Sequence, residues 1–449
     1  MKAGPTTIEQ ESEVSSSFII QNPKRNRNTY RSRASWYPYY AGFSPYFAQS
    51  LLASSGLNQT ACIGDPWNGS GTTTTSAAML GHRAYGYDLN PVMVIVAKAR
   101  LLSQQETHLI WPITTNILQE SKDDGATEIA EDDPLCTWLA PQSAASIRQL
   151  DRVLQHLLVE NAAPSRLGVN LNVSKLTSLT AFFYTTLFST VRIILKSFFA
   201  SNPTWMKQPH NKDARLRFPL ETILNIFHHE IGSMVIAITR DPYTTDACNS
   251  EMHIAVASSD ALPVQNGVID LILSSPPYCT RIDYAVATMP ELAVLGYELQ
   301  GTFQELRRQL IGTSMVPTSV PEPSLAWGTT CNTFLEQLVH HKSKASKSYY
   351  YKNHIQYFDA IYRSLAELHR ILIPHGRCIL VVQDSYYKDI HNDLPQIFIE
   401  MAGANGLQLA HRVDFGLRRT MASIHPMVRR YRKDFSAIES VLCFVNETH

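Results

Sequence analysis

A glycine-rich turn follows a short predicted strand near the beginning of the chain. The strand covers residues 61–64, and the turn reads Asp65-Pro66-Trp67-Asn68-Gly69-Ser70-Gly71-Thr72-Thr73. Glycines at such a turn let the backbone bend tightly and let a ligand approach the main chain. A phosphate-binding loop needs lysine where Ser70 stands, a dinucleotide fingerprint needs a third glycine, and Asp65 would repel phosphate. The turn therefore favours a cationic or zwitterionic nucleoside.

A second predicted strand, residues 83–87, ends at Asp88-Leu89-Asn90-Pro91 and leads into a predicted helix over 92–102. An acid at the carboxyl end of a strand can accept hydrogen bonds from both ribose hydroxyls. Asp88 could equally be an ordinary cap of the helix that follows. Free ribose hydroxyls, a positive centre and no phosphate together describe S-adenosylmethionine, which we expect as the cofactor.

The sequence Ser275-Pro276-Pro277-Tyr278 follows an apolar strand predicted over residues 268–273. Consecutive prolines fix φ and lack N–H groups, so carbonyls of this turn remain available as acceptors. The Ser275 side chain and the Pro276 carbonyl could hold an exocyclic amino group and stabilise the charge that develops when it is methylated. Tyr278 offers a face for a base taken out of a duplex. A rigid turn with a packed aromatic ring is the simpler alternative.

In combination, the two motifs resemble those of the amino-methylating DNA methyltransferases, which modify cytosine N4 or adenine N6. The resemblance spans about residues 36–103 and 251–299, and more loosely 350–445. It implies that Ser275, Pro276, Pro277 and Tyr278 form the catalytic turn. It also implies a cofactor site made of Tyr39, Pro45, Asp65, Pro66, Gly69, Gly71, Thr72, Thr73, Asp88, Asn90 and Asp260.

Three further segments match the order of motifs in this family. Residues 37–45 resemble the segment that helps hold the methionine end of the cofactor, and Ser259-Asp260 resembles the segment whose acid meets the adenine amino group. Residues 383–386 resemble a wall of the active site. Two departures stand out: Trp67 replaces a frequent phenylalanine, and residues 104–250 separate the ribose segment from Asp260, which is unusual for the family.

Strands and helices alternate in the parts of the chain that carry these motifs, which predicts an α/β fold with a mostly parallel sheet. The resemblance implies a Rossmann-like methyltransferase fold with seven strands. We expect a catalytic core over 36–103 and 251–449, a basic tail over 1–35, and a mainly helical insertion over 104–250. A smaller, loop-rich insertion is predicted over 300–350. Sequence specificity towards DNA should come from the two insertions.

Net charge does not identify a partner, because 39 Lys and Arg balance 39 Asp and Glu. The charges are unevenly spread, however, and basic clusters at 24–33 and 412–433 suit a face that binds a polyanion. We expect these clusters to give non-specific affinity for double-stranded DNA. Residues 201–205, followed by Lys207, Lys212, Arg215 and Arg217, could touch DNA or could form an interdomain loop.

Several other classes of protein are not supported by the residue pattern. The seven cysteines are scattered, without the pairs typical of disulfide frameworks or zinc knuckles. His228-His229-Glu230 lacks the second histidine of a zinc protease, because Ser233 stands there. Covalent cytosine C5 methylation needs a cysteine directly after proline, where Tyr278 stands, so Cys279 is not that nucleophile.

We expect a cytoplasmic protein with reduced thiols and with neither a metal nor a membrane partner. No signal peptide is evident, and the apolar stretch 176–191 is short for a membrane span, so a buried helix explains it better.

The resemblance favours cytosine N4 as the target, because serine in place of an acid or amide before Pro-Pro-Tyr, here Ser275, is commoner among the cytosine N4 enzymes of this family. Adenine N6 remains open, since both amino groups can donate the same pair of hydrogen bonds. An RNA methyltransferase, such as one acting on guanine N2 of tRNA, and a non-catalytic recognition subunit also remain open. The sequence does not specify the recognised DNA sequence, the oligomeric state or any partnered restriction enzyme.

Overall fold

The computed structural model describes residues 19–24, 32–38, 42–123, 129–159, 171–200, 205–240, 251–279, 282–417 and 437–447. All structural statements below concern these residues.

A mostly parallel sheet of seven strands lies at the centre of the protein, in the order β3-β2-β1-β4-β5-β9-β8. Strands β1 to β5 pair in parallel, and β9 runs antiparallel to both β5 and β8. The predictions of a mostly parallel sheet and of seven strands are confirmed. The strands are β1 Cys62–Asp65, β2 Arg83–Asp88, β3 Met252–Val256, β4 Ile269–Ser274, β5 Leu372–Gln383, β8 Leu407–Leu417 and β9 Ala437–Asn446, with a separate hairpin of β6 Ser385–Tyr387 and β7 Ile390–Asn392.

Thirteen α-helices surround the sheet within the described ranges. They are α1 Pro45–Ser54, α2 Thr72–Met79, α3 Pro91–Arg100, α4 Thr107–Asp123, α5 Pro141–Leu158, α6 Ser178–Ile194, α7 Leu220–Thr239, α8 Tyr284–Ala287, α9 Met289–Val294, α10 Thr302–Gln309, α11 Gly328–His340, α12 Tyr351–Ile371 and α13 Leu394–Ala404.

Alternation along the central strands separates two apolar layers. Leu271 and Leu273 of β4 pack with α1 and α2, whereas Ile272 between them packs with α11, α12 and α13. Successive side chains of a strand point to opposite faces, so each central strand needs apolar residues at every position once both faces are covered. The sequence Ile-Asp-Leu-Ile-Leu-Ser of β4 meets this requirement almost throughout.

The helices α4 to α7 pack against the rest of the protein through α3 rather than apart from it. Helix α3 is apolar nearly all around, and its residues share one hydrophobic cluster with α5, α6, α7 and α9. Helix α6 contains the apolar stretch 176–191 from Ser178 onward, and most of its residues are buried. No helix in the described part of the chain is both long and apolar enough to cross a membrane.

The region predicted as loop-rich, 300–350, contains two helices, α10 and α11. In α11, Cys331, Phe334, Leu335 and Leu338 are buried at helical spacing, which explains why this segment folds as a helix. Pro317, Pro321 and Pro323 all lie in the chain that links the two helices. The prolines therefore correctly indicated an irregular linker between α10 and α11. The prediction of loops was wrong for the two helices themselves.

Candidate functional site

A cavity opens where four parallel strands end. Asp65, Asp88 and Ser275 lie at or directly after the carboxyl ends of β1, β2 and β4, and residues 257–259 follow β3. Carboxyl ends of parallel strands meet at one edge of a sheet, which is where α/β proteins bind ligands. Of the predicted site residues, the structure places these in the wall of the cavity: Asp65, Pro66, Thr72, Asp88, Asn90, Ser275 and Pro277.

The glycine turn depends on backbone conformations and close contacts that a side chain would disturb. Gly71 has a φ of 81°, in the left-handed region, and an added Cβ would lie 2.8 Å from Cβ of Ala97 in α3. On the neighbouring strand, a Cβ at Gly86 would lie 2.6 Å from Nδ2 of Asn68. These glycines let the turn lie directly against α3 and β2.

Asp88 joins the end of β2 to the glycine turn. Its carboxylate accepts main-chain hydrogen bonds from Gly69 at 2.9 Å and from Asn90 at 2.8 Å. Burial raises the pKa of Asp88 to about 6, against the effect of these two hydrogen bonds, which lower it. The Asp88 carboxylate thus faces the cavity and also orders the backbone on both sides of it.

Asp65 is buried at the floor of the same cavity. It accepts a hydrogen bond of 2.5 Å from the Ser274 hydroxyl and one of 3.2 Å from the main chain of Trp67. Burial raises the pKa of Asp65 to about 7, although hydrogen bonds from Ser274, Thr73 and Trp67 favour the ionised form. Two buried carboxylates with raised pKa values therefore share one cavity, and perturbed groups in a cleft mark a candidate functional site.

The Ser-Pro-Pro-Tyr turn is held in place by hydroxyl groups. The Ser275 hydroxyl donates to the Val381 carbonyl of β5 at 3.2 Å, and the Tyr357 hydroxyl of α12 donates to the Pro277 carbonyl at 3.0 Å. The main-chain N–H of Tyr278 donates to the Tyr284 hydroxyl at 3.3 Å. Since the Ser275 proton is directed to Val381, the oxygen lone pairs remain able to accept a hydrogen bond.

Other predicted site residues support the cavity from behind or lie beside it. Gly69, Gly71, Thr73, Pro276 and Tyr278 are not in its wall, although all five belong to the two turns that form it. The Thr73 hydroxyl donates to the Leu273 carbonyl at 2.9 Å and so ties α2 to β4.

The segment expected at the methionine end of the cofactor is only partly in place. Tyr37, Pro38, Gly42 and Phe43 line the cavity, whereas Pro45 begins α1 outside it. Tyr39 lies outside the described residues.

Asp260 lines a neighbouring cavity instead of the main one. Its carboxylate is paired with the Arg363 guanidinium of α12 and accepts a hydrogen bond from the Ser258 hydroxyl. The two cavities share Leu89, Ser258 and residues 309–311 in their walls.

The predicted wall segment at 383–386 also lies outside the main cavity. Within it, the buried Asp384 carboxylate accepts from the Ile438 main chain at 2.8 Å and contacts His391 at 3.0 Å.

Three arginines that organise the site were not identified from the sequence as site residues. Arg100 donates to the Ser70 carbonyl at 2.6 Å and to the Ala34 carbonyl at 2.9 Å, which links the glycine turn to the segment before Tyr37. Arg33 donates to the Arg100 carbonyl at 3.0 Å. The third is Arg192.

The prediction that Arg33 belongs to a DNA-binding basic surface is therefore wrong, because its side chain is 1% exposed. The other arginines of the cluster at 24–33 lie outside the described residues. Most of the second basic cluster, at 412–433, lies outside them as well. Arg412, at the edge of the second cluster, pairs with Asp414 at 2.9 Å.

Arg192 connects α6 to the cavity. It donates to the Tyr37 hydroxyl at 3.2 Å, and it forms an ion pair of 2.7 Å with the fully buried Glu291. In the sequence, Arg100 and Arg192 each end an apolar run, which is also the ordinary place for a cation at a helix C-terminus. Because this local explanation accounts for both arginines, the sequence did not indicate their tertiary contacts.

The architecture is a mostly parallel seven-stranded sheet with helices on both faces, consistent with an α/β Rossmann-like methyltransferase fold. The chain is similar to a protein named Type II methyltransferase M.BsoBI, from Geobacillus stearothermophilus. The two are 25% identical over 313 residues, which cover 63% of this chain and 56% of the relative. This chain thus spans little more than half the length of that curated relative. No protein-family model matches the chain.

Proposed function

We propose that this protein is a DNA methyltransferase that transfers a methyl group from S-adenosylmethionine to an exocyclic amino group, with cytosine N4 favoured over adenine N6. The observation that carries the proposal is the meeting of the glycine turn, Asp88 and the Ser-Pro-Pro-Tyr turn in one cavity. The name of the similar protein, Type II methyltransferase, supports the same class of activity.

The residues of the cavity fit the proposed cofactor. Asp88 would bind the ribose hydroxyls, since each carboxylate oxygen can accept more than one hydrogen bond. The buried carboxylate of Asp65 favours a cationic ligand, and the aromatic and apolar wall, which includes Phe43, Trp67 and Met93, suits a nucleoside better than a phosphate. S-adenosylmethionine would supply an activated methyl group on a sulfonium cation.

The Ser-Pro-Pro-Tyr turn would bind the amino group that receives the methyl. The Ser275 oxygen and the Pro276 carbonyl can accept its two hydrogens, orient its lone pair and stabilise the positive charge that develops on nitrogen. Tyr357 and Tyr284 would keep this turn in position through their hydrogen bonds to Pro277 and Tyr278. Preorganised acceptors of this kind require no rearrangement during the reaction.

In this proposal, residues 36–103 and 251–449 form the catalytic part, and the insertions at 104–250 and 300–350 read the DNA sequence. Residues Gln309, Leu310 and Ile311 of the smaller insertion already line the cavity, so this insertion is close enough to contact an extruded base. Asp260 would bind the amino group of the cofactor's adenine, on the side where the two cavities share wall residues.

The decisive experiment measures the modified base. The purified protein is incubated with labelled S-adenosylmethionine and either plasmid DNA or tRNA, and the nucleosides are analysed by mass spectrometry. We expect N4-methylcytosine in DNA and no label in tRNA. N6-methyladenine in DNA would correct the target base alone, label in tRNA alone would support the RNA methyltransferase, and no transfer would support a non-catalytic subunit. Long-read sequencing of DNA from a host that expresses the protein would then give the recognised sequence.

A further inference from the structure

Trp205 is the most exposed of the six tryptophans, with 65% of its surface accessible. Tryptophan is rarely left in water, because burying its large apolar ring stabilises a fold. Trp36, Trp138 and Trp327 follow this rule and are buried. A single exposed apolar residue is ordinary on a protein surface, so Trp205 becomes informative only through the residues around it.

The backbone around Trp205 forms a short two-stranded hairpin, residues 198–200 paired with 205–207, which we call the Trp205 hairpin. Ala200 donates to the Trp205 carbonyl at 3.3 Å, and Lys207 donates to the Phe198 carbonyl at 2.8 Å. The Lys207 carbonyl accepts from the buried Trp138 ring at 3.1 Å. These hydrogen bonds fix the hairpin to the helical part of the protein.

The two faces of the hairpin differ in chemistry. Met206 is buried and pairs with Phe199, so Trp205 and Lys207 on either side of it point outward, and both are exposed. Residues 196–217 contain five Lys or Arg residues and one acid, Asp213. Lys212 is paired with Glu131, whereas Lys207 is exposed two residues after Trp205. An exposed aromatic ring with a lysine next to it fits nucleic acid, whose phosphates bind the cation and whose bases stack on the ring.

The inner face of the hairpin is linked to the wall of the cavity through Arg192. The Arg192 guanidinium lies over the Phe199 ring at 4.4 Å and over the Tyr37 ring at 5.3 Å, and Tyr37 lines the cavity. The hairpin is therefore connected to the side of the cavity that Tyr37 forms. At the proposed site of methyl transfer the target base must leave the duplex, which leaves its neighbours unstacked.

We propose that the outward face of the Trp205 hairpin is a DNA-contacting surface, on which Trp205 stacks against a base exposed when the target base is extruded and Lys207 meets a phosphate. The inference rests on the proposed function for the nature of the polymer. It assigns a definite role to one segment of the helical region.

The test compares two exposed tryptophans of the same region. Trp111 on α4 is 43% exposed and packs beside His228, so Trp111→Ala is a matched control for Trp205→Ala. The affinity for a labelled DNA duplex is measured by fluorescence anisotropy with S-adenosylhomocysteine present, so that no methyl transfer is needed. Cofactor affinity is measured separately by calorimetry without DNA.

We expect Trp205→Ala to weaken DNA binding about tenfold, since stacking of one base on an aromatic ring is worth about 1–3 kcal/mol and 1.4 kcal/mol is a factor of ten. Trp205→Phe should retain most of the affinity, and Trp111→Ala should retain all of it. Lys207→Ala should reduce the slope of log affinity against log salt concentration by about 0.9. Cofactor affinity should be unchanged in each variant.

Wild-type DNA affinity in Trp205→Ala, an equal loss in Trp111→Ala, or a parallel loss of cofactor affinity would each overturn the proposal. The outcome is separable from that of the proposed function. If the protein methylates DNA while Trp205→Ala binds DNA normally, the surface is wrong and the function stands. If it methylates no DNA while Trp205→Ala weakens DNA binding, the hairpin binds DNA, but the proposed function and the stacking beside an extruded target base are both wrong.

Discussion

The main-chain N–H of Gly69 donates a hydrogen bond of 2.9 Å to the carboxylate of Asp88. The contact joins the glycine turn after β1 to the end of β2. Both segments were singled out from the sequence as parts of one nucleoside site, and the hydrogen bond joins them directly. A residue proposed to bind the ribose therefore also orders the turn that approaches the cofactor.

Replacing Asp88 by alanine should weaken S-adenosylmethionine binding by about 1–3 kcal/mol, because hydrogen-bonding groups of cofactor and turn lose their acceptor. Calorimetric titration measures the change. Asp270→Ala is the matched control, since the Asp270 carboxylate also accepts a main-chain hydrogen bond, from Cys62 at 2.8 Å, but lies outside the cavity wall. Both variants should lose stability, and only Asp88→Ala should lose cofactor affinity. Unchanged affinity would remove Asp88 from the site.

Gly71→Ala and Gly81→Ala separate the effect of backbone conformation from that of crowding. Both glycines have φ near 80°, but a Cβ at Gly71 meets Ala97 at 2.8 Å, whereas a Cβ at Gly81 has no heavy atom within 4 Å among the described residues. Gly81→Ala should cost about 1–2 kcal/mol for the left-handed conformation. Gly71→Ala should cost about 1–3 kcal/mol more, from overpacking. Denaturant unfolding measures both, and equal losses would contradict the close contact.

Tyr278→Ala should reduce methyl transfer at least tenfold while leaving cofactor affinity nearly unchanged, because Tyr278 lies in the turn that we propose to bind the base and outside the wall of the main cavity. Pro277→Ala should act in the same direction through a less rigid turn. Tyr362→Ala controls for the loss of a ring, because Tyr362 is a half-buried tyrosine of α12 that packs against the core. The measurements are single-turnover transfer and calorimetric binding. An equal loss of transfer and binding would indicate a collapsed site instead.

The affinity for S-adenosylmethionine should rise as the pH increases through 6 to 7. The pKa is raised to about 6 for Asp88 and to about 7 for Asp65, from an ordinary value of 3.8, so both are partly protonated in this range. The sulfonium cation favours the ionised carboxylates and should release protons on binding. S-adenosylhomocysteine, whose sulfur is neutral, should show a weaker dependence. Titrations in buffers with different ionisation enthalpies count the protons, and identical pH profiles for the two ligands would contradict this assignment.

The same pKa values predict the pH dependence of the free protein. Because both folded-state pKa values are raised, the native state holds protons more tightly than the unfolded chain. The stabilisation from these two groups is complete below pH 3.8 and is lost as the pH rises through 6 and then 7. Asp65→Asn should therefore reduce the fall in ligand-free stability over this range. A fall as steep as in the wild type would show that Asp65 does not titrate there.

The sequence by itself determined the order of the motifs that follow the parallel strands. It also determined which polar side chains stand at the carboxyl ends of these strands. Apolar runs that stop at Asp65, Asp88 and Ser275 predicted strands and turns, because strand alternation, glycine turns and proline stops are local properties. Carboxyl ends of parallel strands share an edge, so the meeting of these residues followed once the sheet was predicted to be parallel.

Tertiary structure alone decided the partners of the charged side chains. Arg33 and Arg100 are buried against main-chain carbonyls, and Asp260 is paired with Arg363, which lies 103 residues further along the chain. Nothing local distinguishes such an arginine from a solvated one, because the free energy of a buried charge depends on groups brought from distant segments.

For the helices α4 to α7, too, the sequence did not determine which surfaces pack together. Their helical character was predicted from periodicity, but their contact with α3 was not, because an apolar face does not specify which other apolar face will cover it. That packing places Arg192 between Tyr37, which lines the cavity, and Phe199 of the Trp205 hairpin. The connection between the helical region and the site is therefore a property of the folded chain, since Tyr37 and Arg192 are 155 positions apart in the sequence.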